Sequence, residues 1–117
     1  MSKLLIYIDE NRRFDLEFTM RAIKAIDGVS NARQEKFIGA VFECNYSHAD
    51  RITVVRISED LQTVTVEGLG DESMDFAVKF QRLIPEPLHV IDIEYSFNLN
   101  LSEFNSGIEL MAAIRCK

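Results

Sequence analysis

Two cysteines and two histidines are the side chains in this sequence best suited to metal or nucleophilic chemistry. Cys44, His48 and Asp50 lie in the stretch CNYSHAD, and thiolate, imidazole and carboxylate groups are all zinc ligands. Their spacings of four and two residues do not match a recurring zinc motif, and no Cys-x-x-Cys pair accompanies them. We therefore interpret Cys44 as a small core residue and His48 and Asp50 as turn residues, and we expect no metal or other cofactor.

Nucleophilic catalysis needs a nucleophile, a base and a group that orients the base. Cys44 could pair with His48 or His89, but neither histidine belongs to a motif. Cys116 is the next-to-last residue of the chain, and nothing around either cysteine indicates an activated thiol. The cysteines therefore predict no catalytic centre.

Two acidic patterns could also support chemistry. The stretch GLGD, residues 68–71, precedes a predicted helix, where backbone N–H groups could bind an anion. Asp71, Glu72 and Asp75 follow at once and would repel a phosphate, so we interpret the glycines as turn residues. Asp92 and Glu94 would lie about 7 Å apart on one strand face, a separation that could suit paired carboxylates. No enclosing pocket is evident around them, and we expect a protein that is not an enzyme.

The element that would position Asp92 and Glu94 is a long alternating segment, HVIDIEYSFNLNLSEF, residues 89–104. Its apolar residues share one parity from Ile91 to Leu101, and its polar residues share the other. This alternation predicts one strand over residues 91–101 with one face on a core and one face open. The open face would carry Asp92, Glu94 and Asn98. Exposure to solvent alone would also account for this polar parity.

The other elements suggest the class of fold. Asp15 can cap a first helix that ends at Gly28, and a second helix with an apolar stripe stops before Pro85. Strands are predicted near both ends of the chain, over residues 37–45, and as a hairpin of residues 52–58 and 63–67. The segment GIELMAAI predicts a C-terminal helix whose apolar face includes Ile108 and Met111. This order predicts an α+β, ferredoxin-like β-α-β-β-α-β sandwich, with an extra strand on its antiparallel sheet and a C-terminal helix.

Length and charge narrow the class of function. The 117 residues predict one α+β domain spanning residues 1–117, and the N-terminal apolar run is too short for a signal peptide or membrane span. We therefore expect a cytoplasmic protein that does not bind membranes. The formal net charge is −6, and residues 61–117 carry four basic against nine acidic side chains. Such a surface repels nucleic acid and attracts basic proteins.

The organisation of the chain resembles small bacterial immunity proteins, which are encoded beside polymorphic or contact-dependent toxins and inhibit them. The resemblance lies in three stretches: AIDGVSNARQEKFIGAVFECNYS, VVRISEDLQTVTVEGLGDESMDF and PLHVIDIEYSFNLNL. It implies a cytoplasmic protein that works by tight binding and performs no chemistry. Members of this class are often acidic because many toxin domains are basic nucleases.

We therefore predict a non-catalytic protein-binding domain, most concretely an immunity protein that neutralises a basic toxin domain. The predicted binding residues are Asp92, Glu94 and Asn98 on the open face, then Asp71, Glu72 and Asp75 at the start of the second helix. The alternative is a homo-oligomeric, ligand-binding or regulatory ferredoxin-like module. That module would form a homodimer if the open face also carries Phe37, Val41 and Val54.

Overall fold

A computed structural model describes residues 2–9, 12–34 and 39–115 of the chain. Within these residues the fold contains seven strands, three α-helices and one short 3₁₀ helix at Leu101–Glu103. The helices are α1 (Leu16–Ala25), α2 (Asp71–Leu83) and α3 (Gly107–Arg115). The strands are β1 (Lys3–Tyr7), β2 (Val29–Arg33), β3 (Ala40–His48), β4 (Arg51–Ser58), β5 (Val64–Glu67), β6 (His89–Asp92) and β7 (Asn98–Asn100).

All seven strands form one antiparallel sheet in the order β2-β3-β4-β5-β1-β6-β7. The predicted α+β class and antiparallel sheet are therefore confirmed. The sheet has three strands beyond the four of a simple ferredoxin-like sandwich, where the sequence predicted one extra strand. β2 and β3 are two separate strands, and residues 35–38 between them, including Phe37 and Ile38 of the predicted strand, lie outside the described residues.

The register of β1 defines the two ends of the sheet. At the lower end, where β1 begins, Lys3 pairs with Glu67 and Leu4 pairs with Asp92. At the upper end, Tyr7 pairs with His89. The segments that leave β5 and β6 therefore both start at the lower end.

The helices α1 and α2 cover one face of the sheet, and α3 packs against α2. Alternate strand residues such as Leu4, Phe42 and Val55 are fully buried and pack in one cluster with Ile23 of α1 and Phe80 of α2. The opposite parity is half-buried in the central strands and forms what we call the open face. Burial of apolar surface thus packs one face of the sheet against the helices, and an antiparallel sheet can leave its other face in contact with solvent.

The helix signals in the sequence are confirmed for α1 and only in part for α3. Asp15 caps α1 by accepting a hydrogen bond from the Phe18 N–H at 3.0 Å, and Gly28 follows with φ of 104°. In α3 the predicted apolar face was right at Met111, which packs against the core, and wrong at Ile108, which is 83% exposed while Leu110 is fully buried. No helix in the described part of the chain is long and apolar enough to cross a bilayer.

The predicted strand over residues 91–101 was also wrong. It is a hairpin in which β6 and β7 pair antiparallel and residues 93–97 connect them. The parity also changes, since Asp92 is 4% exposed and does not lie on the open face. The alternating pattern did not reveal the reversal because both arms of the hairpin, and the loop between them, keep the same period of two.

Candidate functional site

The buried carboxylate of Asp92 fixes the loop between β6 and β7. It accepts hydrogen bonds from the Ser96 N–H at 2.7 Å and from the Ser96 hydroxyl, and these bonds hold the pKa of Asp92 below its ordinary value. The Asp92 carbonyl also accepts the Tyr95 N–H at 3.1 Å. On the far side of the loop, Phe97 is buried in the core. Asp92 therefore has a structural role, and the sequence placed it wrongly on an exposed face.

The fixed loop displays three neighbouring side chains to solvent: Ile93, Glu94 and Tyr95, which we call the 93–95 loop. Ile93 is 42% exposed, Tyr95 is 76% exposed, and Glu94 is exposed between them. Tyr95 has φ of 56°, in the left-handed region that side chains such as tyrosine rarely adopt. A large aromatic residue held exposed in a strained conformation is typical of functional surfaces rather than of folding requirements.

The N-terminus of α2 brings a second acidic segment to the lower end. Asp71 is exposed, and the helix begins after Gly70 without a side-chain cap from Asp71 or Ser73. Glu72 folds back on Gly70, where one of its carboxylate oxygens is buried with no hydrogen-bond partner in the described structure. Asp71 and Glu94 are therefore exposed acidic residues on two segments that leave the sheet at the lower end.

Asp75, the third predicted residue of α2, lies in a polar cluster rather than free at the surface. Its carboxylate accepts hydrogen bonds from the Tyr46 hydroxyl and from Lys79 at 3.1 Å, and it lies 3.3 Å from Nδ1 of His48. Burial by itself would raise the pKa of Asp75, but the hydrogen bonds from Tyr46 and Lys79 outweigh burial and lower it. The cluster joins the sheet to α2, and the carboxylate of Asp75 is occupied by contacts within the fold.

A small cavity beside this cluster contains Ser106, His48 and Asp75 in its lining. These residue types could form a nucleophile, a base and an orienting carboxylate. The Ser106 hydroxyl instead accepts the N–H of Glu109 at 3.2 Å, and the described structure gives it no hydrogen bond to His48. The cavity thus lacks the contact that would activate a serine nucleophile.

The cysteine and metal candidates separate in the fold. Cys44 is 1% exposed on the core side of β3, and burial raises the pKa of its thiol to about 12. Asp50 lies in the exposed turn after His48, and Cys116 lies outside the described residues. Over the described residues, no three His, Cys, Asp or Glu side chains come together as a metal site.

Sequence reasoning missed a cleft at the upper end of the open face. Its volume is about 500 Å³, and we call it the upper cleft. The predicted residue Asn98 and Tyr7 both line it, and the side-chain amide of Asn98 donates a hydrogen bond to the Tyr7 hydroxyl at 3.4 Å. The remaining lining residues come from the segment after β1, the start of β6, β7 and the 3₁₀ helix: Asp9, His89, Leu99, Asn100 and Glu103. The only sequence signals were Tyr7 on β1 and His89, which no local pattern joins.

The predicted residues thus divide among three places. Glu94 and Asp71 are exposed at the lower end, Asp92 and Asp75 are engaged within the fold, and Asn98 lies in the upper cleft. No protein-family model, curated protein or solved structure matched this chain.

Proposed function

We propose that this chain is a non-catalytic protein-binding domain, most concretely an immunity protein that binds and neutralises a basic toxin domain in the cytoplasm. One observation carries the proposal: the lower end of the sheet holds the 93–95 loop together with the exposed carboxylate of Asp71. Exposed tyrosine and isoleucine side chains supply contact area, and the carboxylates favour a basic partner.

The rigidity of the loop supports this proposal. Ser96 and Phe97 tie the loop to Asp92 and to the core, so little conformational entropy is lost when the 93–95 loop is bound. Basic side chains also lie at the lower end, because Arg51 follows the turn after β3 and Lys3 begins β1. Binding would therefore depend on the positions of Glu94 and Asp71 among these basic groups as well as on the net charge of −6.

For the architecture, we propose a ferredoxin-like core made of α1, α2 and the four central strands in the order β6-β1-β5-β4. This order supports the proposal because a β-α-β-β-α-β unit places its first strand between its third and fourth strands. The β2-β3 pair would then be an insertion after α1, and β7 an added edge strand.

The test uses the protein encoded by the gene adjacent to that of this chain. We expect its expression to arrest growth of a bacterial host, and co-expression of this chain to restore growth. With the two purified proteins, Glu94→Lys combined with Asp71→Lys should slow association about tenfold or more at low salt. Tyr95→Ala should raise the Kd about tenfold or more, through faster dissociation.

The matched control is Glu59→Lys, an exposed carboxylate in the turn between β4 and β5 at the opposite end of the sheet. At moderate salt this variant should leave the association rate within about twofold of the parent, because charges farther from the interface than the Debye length of about 10 Å are largely screened. Failure to restore growth, or an equal effect of Glu59→Lys and the lower-end variants, would contradict the proposal.

The alternative is a homo-oligomeric regulatory or ligand-binding module, and the open face supports it. Ile52 is 66% exposed there, and half-buried Val54 follows it on β4. Half-buried Leu5 lies on the same face two strands away, on β1, while Phe37 lies outside the described residues. A second copy of the chain could cover these side chains. Light scattering decides between the two hypotheses: a concentration-independent monomer contradicts the alternative, and a dimer that Ile52→Lys dissociates supports it.

A further inference from the structure

The upper cleft is a concave surface lined mainly by polar side chains. It lies at the opposite end of β1 from the 93–95 loop. Its volume of about 500 Å³ is within the range of small-molecule sites in proteins. Two stretches distant in sequence form it: the end of β1 with Asp9, and residues 89–103, which run through β6 and β7 into the 3₁₀ helix. The cleft therefore exists only in the folded chain.

One wall of the cleft carries a pair of aromatic rings. The rings of Tyr7 and His89 are stacked, with centroids 5.2 Å apart and planes inclined by 26°. The Tyr7 hydroxyl is further positioned by the side-chain amide of Asn98. An ordered aromatic pair attracts flat or cationic groups, because the ring faces are negative and present a large planar surface.

The charged side chains that line the cleft are acidic. Asp9 and Glu103 are exposed carboxylates from two different segments, and none of the described lining residues is lysine or arginine. Asn98 and Asn100 add amide groups, with Asn100 also accepting the Ser102 N–H at 2.9 Å. A phosphate or carboxylate ligand would be repelled here, and a purely apolar ligand would leave the polar lining desolvated.

We propose that the upper cleft binds a guanidinium group. Guanidinium is planar, stacks on aromatic faces, and donates paired hydrogen bonds to carboxylates and amides, so it matches both the Tyr7–His89 pair and the acidic side chains. The proposal does not depend on the function of the lower end. The group could come from a free small molecule or from an arginine side chain of another protein, and both present the same chemistry to the cleft.

The first experiment titrates the full chain with methylguanidinium and, separately, with N-methylurea, and follows the Tyr7 and His89 ring resonances by NMR. The two probes have nearly the same planar shape and differ in charge. We expect methylguanidinium to bind about tenfold or more tightly than N-methylurea. Equal affinity, or shifts that spread over the whole surface instead of the upper cleft, would overturn the proposal.

Conservative surface variants test which groups carry the recognition. Asp9→Asn combined with Glu103→Gln should weaken methylguanidinium binding about tenfold, while the matched change Glu94→Gln at the lower end should leave it unchanged. Tyr7→Leu should also weaken binding, and a circular-dichroism spectrum identical to the parent confirms that this variant folds. Unchanged affinity in the Asp9→Asn/Glu103→Gln variant would overturn the proposal even if Tyr7→Leu did not fold.

Two further probes identify the source of the group. Agmatine carries guanidinium as a free small molecule, and acetyl-Gly-Arg-Gly-amide carries it as a peptide side chain. Tighter binding of agmatine supports a small-molecule site, and tighter binding of the peptide supports recognition of a protein. If neither probe binds at 20 times the methylguanidinium concentration used in the first experiment, the proposal is overturned.

Discussion

The two ends of β1 differ in how they present polar side chains. At the lower end, a buried carboxylate is used internally, and its hydrogen bonds to Ser96 support a loop that displays Tyr95 and Glu94 outward. At the upper end, the polar side chains remain on the surface and surround a cleft beside the stacked rings of Tyr7 and His89.

The comparison distinguishes buried residues that hold a surface loop in place from exposed residues that a partner could contact. Asp92 makes the 93–95 loop possible but is 4% exposed, whereas Tyr95 forms the surface and is 76% exposed. In the upper cleft, Tyr7 and His89 do both, because they pair across the sheet and also line the cleft. Substitutions should therefore separate stability from binding at the lower end more cleanly than at the upper end.

The largest effect on stability should come from Asp92→Ala. This change removes an acceptor from two Ser96 donors in a buried position, and hydrogen bonds to charged groups contribute about 1.5–3 kcal/mol. We expect the free energy of unfolding at pH 7 to fall by about 2–3 kcal/mol, measured by urea denaturation. Glu94→Ala in the same loop is the control and should change it by less than about 0.5 kcal/mol. A loss of similar size in both variants would contradict the distinction between support and surface.

The contribution of Asp92 should also depend on pH. The Ser96 hydrogen bonds lower the pKa of Asp92 in the folded chain, so its contribution is present above the unfolded pKa of about 3.9 and is lost as the pH falls through the folded pKa. The stability difference between the parent and Asp92→Ala should therefore be constant from pH 7 to 5 and shrink in more acidic buffer. Urea denaturation over this series measures it, and a difference that grows in acid would contradict the assigned hydrogen bonds.

An intermediate effect should come from the turn at the lower end between β3 and β4. Ala49 and Asp50 form a two-residue connection with φ values of 50° and 65°, which favours Asn-Gly over Ala-Asp. Replacing both, as Ala49→Asn with Asp50→Gly, should raise the free energy of unfolding by about 0.5–1 kcal/mol. Thermal and urea denaturation give the change, and a destabilised double variant would contradict the left-handed geometry of this turn.

The smallest effects should come from exposed groups at each end. Tyr95→Ala removes a side chain that is 76% exposed, and Tyr7→Phe removes a hydroxyl that accepts one 3.4 Å contact from Asn98. Each should change the free energy of unfolding by less than about 0.5 kcal/mol. A loss above about 1 kcal/mol for Tyr95→Ala would indicate that the 93–95 loop supports the fold, which would weaken its assignment as a binding surface.

Local signals in the sequence predicted several elements well. The cap at Asp15, the glycine after α1 and the β4-β5 hairpin each depend on residues close in sequence, and the structure confirms them. The apolar stripe of α2 is confirmed at Phe76 and Phe80 but not at Leu83, which is 41% exposed. The position of Ile108 was wrong because α3 has apolar residues around most of its circumference, so periodicity alone could not select its buried side.

By itself, the sequence determined the α+β class, most element types and the acidic charge, because propensity, capping and periodicity are local properties. Only the tertiary structure decided that residues 89–100 reverse into a hairpin, since alternation with a period of two continues through a turn. The same reversal buried Asp92, exposed Tyr95 and moved Asn98 beside Tyr7, a residue 91 positions away. Strand pairing is a long-range interaction, and it therefore decided which polar residues form a surface and which support one.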